Sequence, residues 1–304
     1  MHLQNVALLY DPAETDAHQT AVFLASQLRE ERPCLVLPVD RHLPSRIEEL
    51  SVDAAVNLVT NPQKASEVRA LGQLLELPVS GPSMQALQLC ADRALLKDFL
   101  NMHNLSTPAW YVPRHPVENL DQEHRNFGFP ALVRARRGST RQTVASNLDE
   151  LHAQVLSCRC DSGSVIVERQ VPGTRVCCAL WRQQTFGSAQ IRTLDITGGT
   201  ETMEMLIPPR ISPTRQKTME RLAGRLAQLL DVHDAMLVTL VQDEVHGDMI
   251  VDVDILPSLH RNGTFARIGA AFGLSPRECI TRLVAGLDTR RFGASSTRSA
   301  WMCG

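Results

Sequence analysis

Short apolar runs separated by amphipathic stretches occupy the first third of the chain. The runs "NVALLYD", "PCLVLPVD" and "DAAVNLV" predict three buried strands. Between the first two, "AETDAHQTAVFLASQLREE" predicts a helix with Ala21, Val22, Leu24 and Leu28 near one stripe, and "SEVRALGQLLELP" predicts another helix. Strands and helices in this order are typical of a parallel sheet with crossover helices. Residues 1–84 are therefore expected to form a doubly wound α/β domain.

The pattern changes in the middle of the chain. "MQALQLCADRALLKDFLNMHNLSTPAW" predicts one long helical region that ends before Pro108. "PALVRAR" predicts a strand, and the chain returns to a further strand through the basic loop "RGSTRQTV". Asn147 is the predicted cap of a helix over "NLDELHAQVLS". We expect residues 85–172 to form a small α+β domain.

The remaining residues predict a third unit. "SVIVERQVPGTRVCCALW" contains two strands around a Pro-Gly pair, and "RQKTMERLAGRLAQLLD" predicts a helix. "AMLVTLVQDEVHGDMIVDVDIL" predicts an antiparallel hairpin that turns at His246-Gly247. A final helix over "PRECITRLVAGL" completes a predicted domain of residues 173–288. Residues 289–304 have little periodicity and are expected to form a mobile tail.

Charge and composition exclude several classes of partner. The 304 residues carry a formal net charge of −2, so no overall field would attract nucleic acid or an anionic membrane. No apolar run reaches the roughly 18 residues needed to cross a bilayer, and the N-terminus lacks the charged lead of a signal peptide. We therefore expect no nucleic-acid partner, no membrane partner and a cytoplasmic location. The eight cysteines are expected to be free thiols there.

The stretch "MIVDVDILPSLH" places two acids in an apolar strand. Residues two apart in a strand point the same way, so Asp252 and Asp254 should project together while Val251, Val253 and Ile255 face a core. Two neighbouring carboxylates repel, and a buried one is costly unless it is paired or bound to a metal. The strand alone allows either a water-exposed strand end or a site for a divalent metal.

Four strings, in their order and spacing, resemble the ATP-grasp superfamily and most closely the D-alanine–D-alanine ligases. They are "SGPSMQALQLCADRALLKDFLNMHNLSTP", "FPALVRARRGSTRQTV", "VIVERQVPG" and "VDVDILPS". The resemblance extends over about residues 4–288. It implies a three-domain ATP-grasp architecture with an N-terminal doubly wound sheet, and the use of ATP and Mg²⁺.

The resemblance also implies roles for particular residues around a bound nucleotide. Lysine and arginine would neutralise the phosphates, a glycine-rich loop would cover them, and the strand before Pro172 would hold the adenine. The implied ATP-binding residues are Lys97, Arg134, Gly138, Ser139, Thr140, Glu168 and Val171. Each position also has an ordinary interpretation: solvated surface cations, a hairpin turn, or an acid at a strand end.

Asp252 and Asp254 would be the Mg²⁺ ligands of such a site, because hard oxygen donors suit a hard ion. The substrates would be small molecules, a carboxylate and an amine such as amino acids, and the family usually forms homodimers. Glu14, Ser258 and His260 are the residues that would contact the substrates. A histidine in a loop is also common as ordinary polar surface.

Several positions depart from the family pattern. The family has an Arg-x-Asp on the strand before the metal strand, whereas this chain has Leu237 and Thr239 there. Arg175 stands where the family commonly has an acid that holds the ribose. No catalytic residue can be assigned. Two hypotheses therefore remain: a carboxylate–amine ligase for a different substrate pair, or a non-catalytic ATP-grasp protein that binds a nucleotide or a partner.

Overall fold

The strands of the described residues form three sheets in the computed structural model. The structure describes residues 3–28, 33–113, 120–138, 142–196, 200–243 and 247–296. None of the helices in these ranges is long and apolar enough to span a membrane.

The N-terminal part of the chain forms a parallel sheet of order β2-β1-β3, as predicted, while the predicted limits of the three domains stay predictions. Ala7 and Leu9 pack on the side of α2 and α3, whereas Val6 and Leu8 pack on the side of α1 and α10, so the sheet is covered on both faces. Its elements are β1 (Val6–Tyr10), α1 (Ala17–Gln27), β2 (Cys34–Pro38), α2 (Leu43–Glu49), β3 (Ala54–Asn57) and α3 (Pro62–Leu74), and α10 is Pro276–Ser296.

Two details of this domain differ from the sequence prediction. The short helix α2 was not predicted, although the chain needs a crossover between the parallel strands β2 and β3. Val22 is 46% exposed, whereas Ala21, Leu24 and Leu28 are buried. The buried stripe of α1 is therefore narrower than its apolar residues suggested.

The long helical region predicted before Pro108 is two helices. They are α4 (Met84–Ala91) and α5 (Arg93–Met102). Asp92 lies between them with extended backbone, and its side chain accepts hydrogen bonds from the Ala94 and Leu95 amides. Since an aspartate at this position satisfies free amides of the first turn, Asp92 starts a new helix in the middle of a continuous apolar pattern.

The central domain has an antiparallel sheet of order β4-β7-β5-β6 with α7 packed on it. Asn147 caps α7 as predicted, since its side chain accepts from the Glu150 amide at 2.9 Å. The elements are β4 (Trp110–Tyr111), α6 (Leu120–His124), β5 (Ala131–Ala135), β6 (Gln142–Ala145), α7 (Leu148–Ser162) and β7 (Val165–Arg169).

The C-terminal domain is built on an antiparallel sheet of order β10-β9-β8-β11-β12. The helix α10 continues to Ser296 and so includes residues 289–296 of the predicted mobile tail, whose mobility stays a prediction. The other elements are β8 (Arg175–Trp181), β9 (Gln184–Ile196), β10 (Thr200–Leu206), α8 (Pro213–Leu229), β11 (Ala235–Asp243), β12 (Gly247–Asp254) and α9 (Thr264–Ala271).

The two faces of this sheet have different neighbours. Val176, Cys178 and Leu180 of β8 pack in the core that contains the buried side of α8. The alternate residues Cys177 and Ala179 lie on the opposite face, in the core that contains α9. Arg175 and Cys177, two residues apart and therefore on the same face of β8, also line a cleft between this sheet and the central sheet.

Gly173 lies where the chain passes from the central sheet to the C-terminal sheet. Its φ is +139°, and an added Cβ would lie 2.1 Å from the backbone oxygen of Gln242. We expect Gly173→Ala to lower the free energy of unfolding by at least about 3 kcal/mol, through both backbone strain and overlap. Denaturant unfolding measures this.

Gly163→Ala is the matched control for this substitution. Gly163 also has a positive φ, +74°, but nothing lies within 4 Å of its added Cβ. We expect a loss of only about 1 kcal/mol there. Equal losses in the two variants would contradict the close approach at Gly173.

Candidate active site

A cleft of about 300 Å³ separates the central sheet from the C-terminal sheet. The segment from Glu168 to Val171 runs along it and connects the two walls. The lining consists of Pro108, Leu132, Arg134, Gln142, Glu168, Arg169, Gln170, Val171, Arg175, Cys177, Ile191, Leu237, Thr239, Val241, Val251, Asp252, Asp254 and Thr264. Lys97 lines a small cavity that adjoins it through Arg134, Glu168 and Asp252.

Lys97 and Glu168 form a buried ion pair at this junction. Lys97 is 4% exposed and Glu168 is 2% exposed. Lys97 Nζ lies 3.1 Å from Glu168 Oε2 and donates to Thr107 Oγ1 at 2.9 Å. Burial lowers the pKa of Lys97, and the neighbouring Glu168 carboxylate opposes part of this effect. The two residues are therefore not the solvated surface groups that the sequence left open.

Arg134 extends the charge network across the cleft. Its Nη1 lies 3.8 Å from Glu168 Oε1, and its Nη2 donates to Asp252 Oδ1 at 3.2 Å. Within the part of the chain that the structure describes, Glu168 Oε1 and Arg134 Nε have no hydrogen-bond partner. Buried polar atoms are rarely left without partners. This network can therefore accept further polar contacts from a ligand or water.

A β-bulge brings the two acids of β12 to the cleft. Thr239 pairs with Asp252 and Leu240 with Ile250, so Val251 is the extra residue of β12. Val251 consequently lines the cleft, and the prediction that it faces the core is wrong. Ile255 is buried as predicted.

Asp254 lies opposite Leu237 in the register and is half-buried. Burial raises the pKa of Asp254 to about 6, with a further contribution from the neighbouring Asp252 carboxylate, while the hydrogen bond from the Leu256 amide opposes the rise. The Asp252 side chain is 55% exposed. A pair of carboxylates in this arrangement is stabilised by a nearby positive charge.

These two carboxylates fit one divalent ion better than two. Carboxylate oxygens are the donors that Mg²⁺ prefers, and an ion between protein and substrate phosphates needs few protein ligands. Among the residues described, no group of three or more His, Cys, Asp or Glu side chains could hold a metal. The position opposite Asp252 offers only the Thr239 hydroxyl.

The residues predicted to contact substrate lie outside the lining of this cleft. Glu14 Oε1 accepts from the Thr60 and Asn61 amides at 3.0 and 3.1 Å, which ties it to the start of α3. Ser258 Oγ accepts from the His260 amide at 3.2 Å, and His260 Nδ1 accepts from the Asn262 amide. Their substrate contacts stay predictions.

The predicted phosphate loop is only partly described. Gly138 has a φ of +78°, a conformation that favours glycine. Ser139 and Thr140 lie outside the described residues.

Sequence reasoning did not assign Cys177 or Gln142 to the cleft. Cys177 follows Arg175 by two residues on β8, so strand alternation could have placed both on one face. Its thiol has a pKa raised to about 12 by burial, which makes it an inert part of the wall. Gln142 comes from β6 at the far side of the central sheet, and only the fold brings it there.

The fold is that of the ATP-grasp proteins. The structure superposes on a D-alanine–D-alanine ligase from Bacillus anthracis complexed with ATP with a TM-score of 0.82, at 13% identity over 97% of this chain and all of that chain. A D-Ala:D-Ser ligase, VanG from Enterococcus faecalis, gives 0.76 at 15% identity over 94% of this chain and 99% of that one.

A family model described as D-ala D-ala ligase C-terminus matches residues 100–285. The chain belongs to this family of D-alanine–D-alanine ligase-like proteins. A D-alanine–D-alanine ligase from Pelotomaculum thermopropionicum is 24% identical over 79% of this chain and 81% of its own length. The resistance protein VanA from Enterococcus faecium is 22% identical over 71% of this chain and 67% of its own length.

The Lys97–Glu168 ion pair can be tested through stability alone. Lys97→Met leaves a buried carboxylate without its main partner, and we expect a loss of about 3 kcal/mol of unfolding free energy. Adding Glu168→Gln removes the charge that was left unpaired, so the double variant should recover most of the loss. Urea unfolding of both single variants and the double variant measures this, and strictly additive losses would contradict the pair.

Asp254 predicts a characteristic pH dependence. Its pKa is about 6 in the folded protein against a usual 3.8, so the protonated form stabilises the fold. That contribution is full below pH 3.8 and is lost as pH rises through 6. We therefore expect the unfolding free energy of the wild type, relative to Asp254→Asn, to fall between about pH 4 and 7. A constant difference would contradict the raised pKa.

Proposed function

We propose that the chain is an ATP-dependent, ADP-forming carboxylate–amine ligase that acts on a substrate pair other than two molecules of D-alanine. The observation that carries the proposal is the convergence of Lys97, Arg134, Glu168, Asp252 and Asp254 around one cleft. Family membership adds a ligase precedent, since several of the relatives are named as D-alanine–D-alanine ligases.

The cations of the cleft suit a triphosphate. Lys97 and Arg134 are held in place by acids, so they are oriented before a ligand arrives. Phosphate oxygens would become additional partners of these cations, and Glu168 Oε1, which has no hydrogen-bond partner among the described residues, would accept a hydrogen bond from the amino group of the base. Mg²⁺, when bound by Asp252 and Asp254, would neutralise charge on the phosphates.

The reaction that fits this arrangement proceeds in two steps. A substrate carboxylate attacks the γ-phosphorus of ATP, the bond to the ADP oxygen breaks, and an acyl phosphate forms. An amine then attacks the acyl carbon, which forms a carbon–nitrogen bond and releases inorganic phosphate and a proton. The residues of the chain contribute positioning and charge neutralisation.

The substrate side of the cleft supports a different substrate pair. Leu237 and Thr239 of β11 pair directly with Asp254 and Asp252 of the neighbouring strand β12. Leu237 cannot stabilise a developing negative charge, so one donor that the resemblance implies is missing, a loss that typically reduces the rate ~10²–10³-fold. An efficient reaction would therefore need that donor from elsewhere, including from the substrate itself.

A second candidate is a protein that binds the nucleotide without turnover. It is favoured by the neutral pair Leu237 and Thr239 and by the two-carboxylate set, which, within the described ranges, is not extended by a third acid. This candidate shares the nucleotide site with the first and differs only in the reaction.

ADP release with pooled amino acids, ATP and Mg²⁺ tests the proposal. We expect release that depends on the pool and is absent with D-alanine alone. Asp252→Asn should reduce it at least ~100-fold, because that acid faces the phosphates. Asp248→Asn is the control, since Asp248 lies on the same strand but outside the cleft lining.

Calorimetry with ATP and Mg²⁺ separates the outcomes. Binding heat without release in any pool would contradict the ligase and favour the second candidate. Absence of binding heat would contradict both.

A further inference from the structure

We propose that Asp92 is a positioning residue for the nucleotide phosphates, because it holds the helix of Lys97 and the strand end of Arg134 in a fixed relation. The inference rests on the proposed nucleotide binding and concerns a residue that contacts neither ligand nor metal in that proposal. Lys97 lies on α5 and Arg134 on β5, so their spacing depends on how these elements are joined.

Asp92 is joined to α5 by its role as cap. It is 1% exposed, and its Oδ1 accepts from the Ala94 amide at 3.0 Å and the Leu95 amide at 3.3 Å. Lys97 follows within the next turn of the same helix. A displacement of the cap would therefore move the lysine.

The same carboxylate is joined to the chain just after β5. Arg136 Nε donates to Asp92 Oδ1 at 2.8 Å, and Arg137 Nε donates to Oδ2 at 2.9 Å. Burial raises the pKa of Asp92, but the hydrogen bonds from Arg136 and Arg137 outweigh it and hold the pKa below its usual value. The carboxylate is thus charged and bound on both oxygens.

Backbone contacts reinforce this junction. The Arg93 amide donates to the Arg136 carbonyl at 3.1 Å, and Arg93 Nη1 donates to the Ala135 carbonyl at 2.7 Å. Asp92 and Arg137 also form a β-bridge. Residues 135–137, which directly follow Arg134, are therefore attached to the start of α5.

This arrangement assigns a structural task to two arginines that would otherwise be assumed to bind phosphate. Both are paired with Asp92, and two charge-assisted contacts to one buried carboxylate are strong. If they bound phosphate directly, Asp92 would compete with the nucleotide and its removal would strengthen binding. If they position the cleft, its removal would weaken binding.

Asp92→Asn is the decisive variant, because asparagine still caps the helix but lacks the charge that holds both arginines. We expect the Kd for ATP with Mg²⁺, measured by calorimetry, to rise about tenfold. Under turnover conditions, the KM for ATP should rise in Asp92→Asn, relative to the wild type, by a larger factor than kcat falls. Unchanged or tighter ATP binding would overturn the proposal.

Asp248→Asn is the matched control. Asp248 is also an acid bound to an arginine, with Arg215 Nε donating at 2.6 Å and a side chain that is 7% exposed, but it lies outside the cleft lining. We expect its Kd for ATP to stay within about twofold of the wild type. An equal loss in both variants would indicate general destabilisation and would overturn the specific role of Asp92.

A double-mutant cycle tests the route of the effect. Arg136→Gln with Arg137→Gln should weaken ATP binding by about as much as Asp92→Asn, and combining all three changes should add little. Fully additive losses would show that the arginines contact the nucleotide independently.

Hydrogen exchange of the free protein separates this proposal from the proposed function. Amides at 135–137 should exchange faster in Asp92→Asn than in Asp248→Asn. If the wild type gave no ATP heat, the proposed function would fail, while faster exchange would still support the junction. Unchanged exchange would overturn the junction whatever the nucleotide does.

Discussion

The buried carboxylate of Glu168 is the point on which the cleft depends. It lies 3.1 Å from Lys97 Nζ and 3.8 Å from Arg134 Nη1, so one acid keeps two cations from repelling each other in a place with little water. Removing a charge from such a group leaves the others uncompensated. Apolar residues in place of such a buried charge network often make a fold equally or more stable. Retention of the charges therefore suits a site that binds a charged ligand.

The sequence predicted the strands well and the junctions less well. The three parallel strands follow from apolar runs, and the Asn147 cap follows from a local rule, so both required only neighbouring residues. The break at Asp92 interrupts an apolar pattern that suits one continuous helix. Its side chain caps α5 locally, but the same carboxylate also binds Arg136 and Arg137, which lie more than 40 residues away and could not be paired with it from the sequence. The sequence near residue 289 likewise contains no local pattern that distinguishes a continuing helix from a polar tail, although α10 extends to Ser296.

The candidate site divides in the same way. Alternation placed Asp252 and Asp254 on one face, and the family resemblance identified Lys97, Arg134, Glu168 and Val171, which the structure brings to one cleft and its adjoining cavity. Glu14 could not be placed from sequence because its role depends on a loop after β3, whose amides bind its carboxylate. The cleft thus keeps a coherent set of charged residues, while the strand next to Asp252 and Asp254 has the apolar Leu237 and the neutral Thr239.

The bulge at Val251 has a consequence for how this strand can change over time. In a regular ladder, insertion or deletion of one residue turns every later side chain to the other face. Here the extra residue Val251 determines which face of the sheet carries both acids. The polarity of the cleft therefore depends on the number of residues in the strand as well as on their identity. A related strand that kept both aspartates but lacked the extra residue before them would turn their carboxylates toward the hydrophobic core. The presence of the two acids in a sequence therefore does not by itself show that they face the cleft.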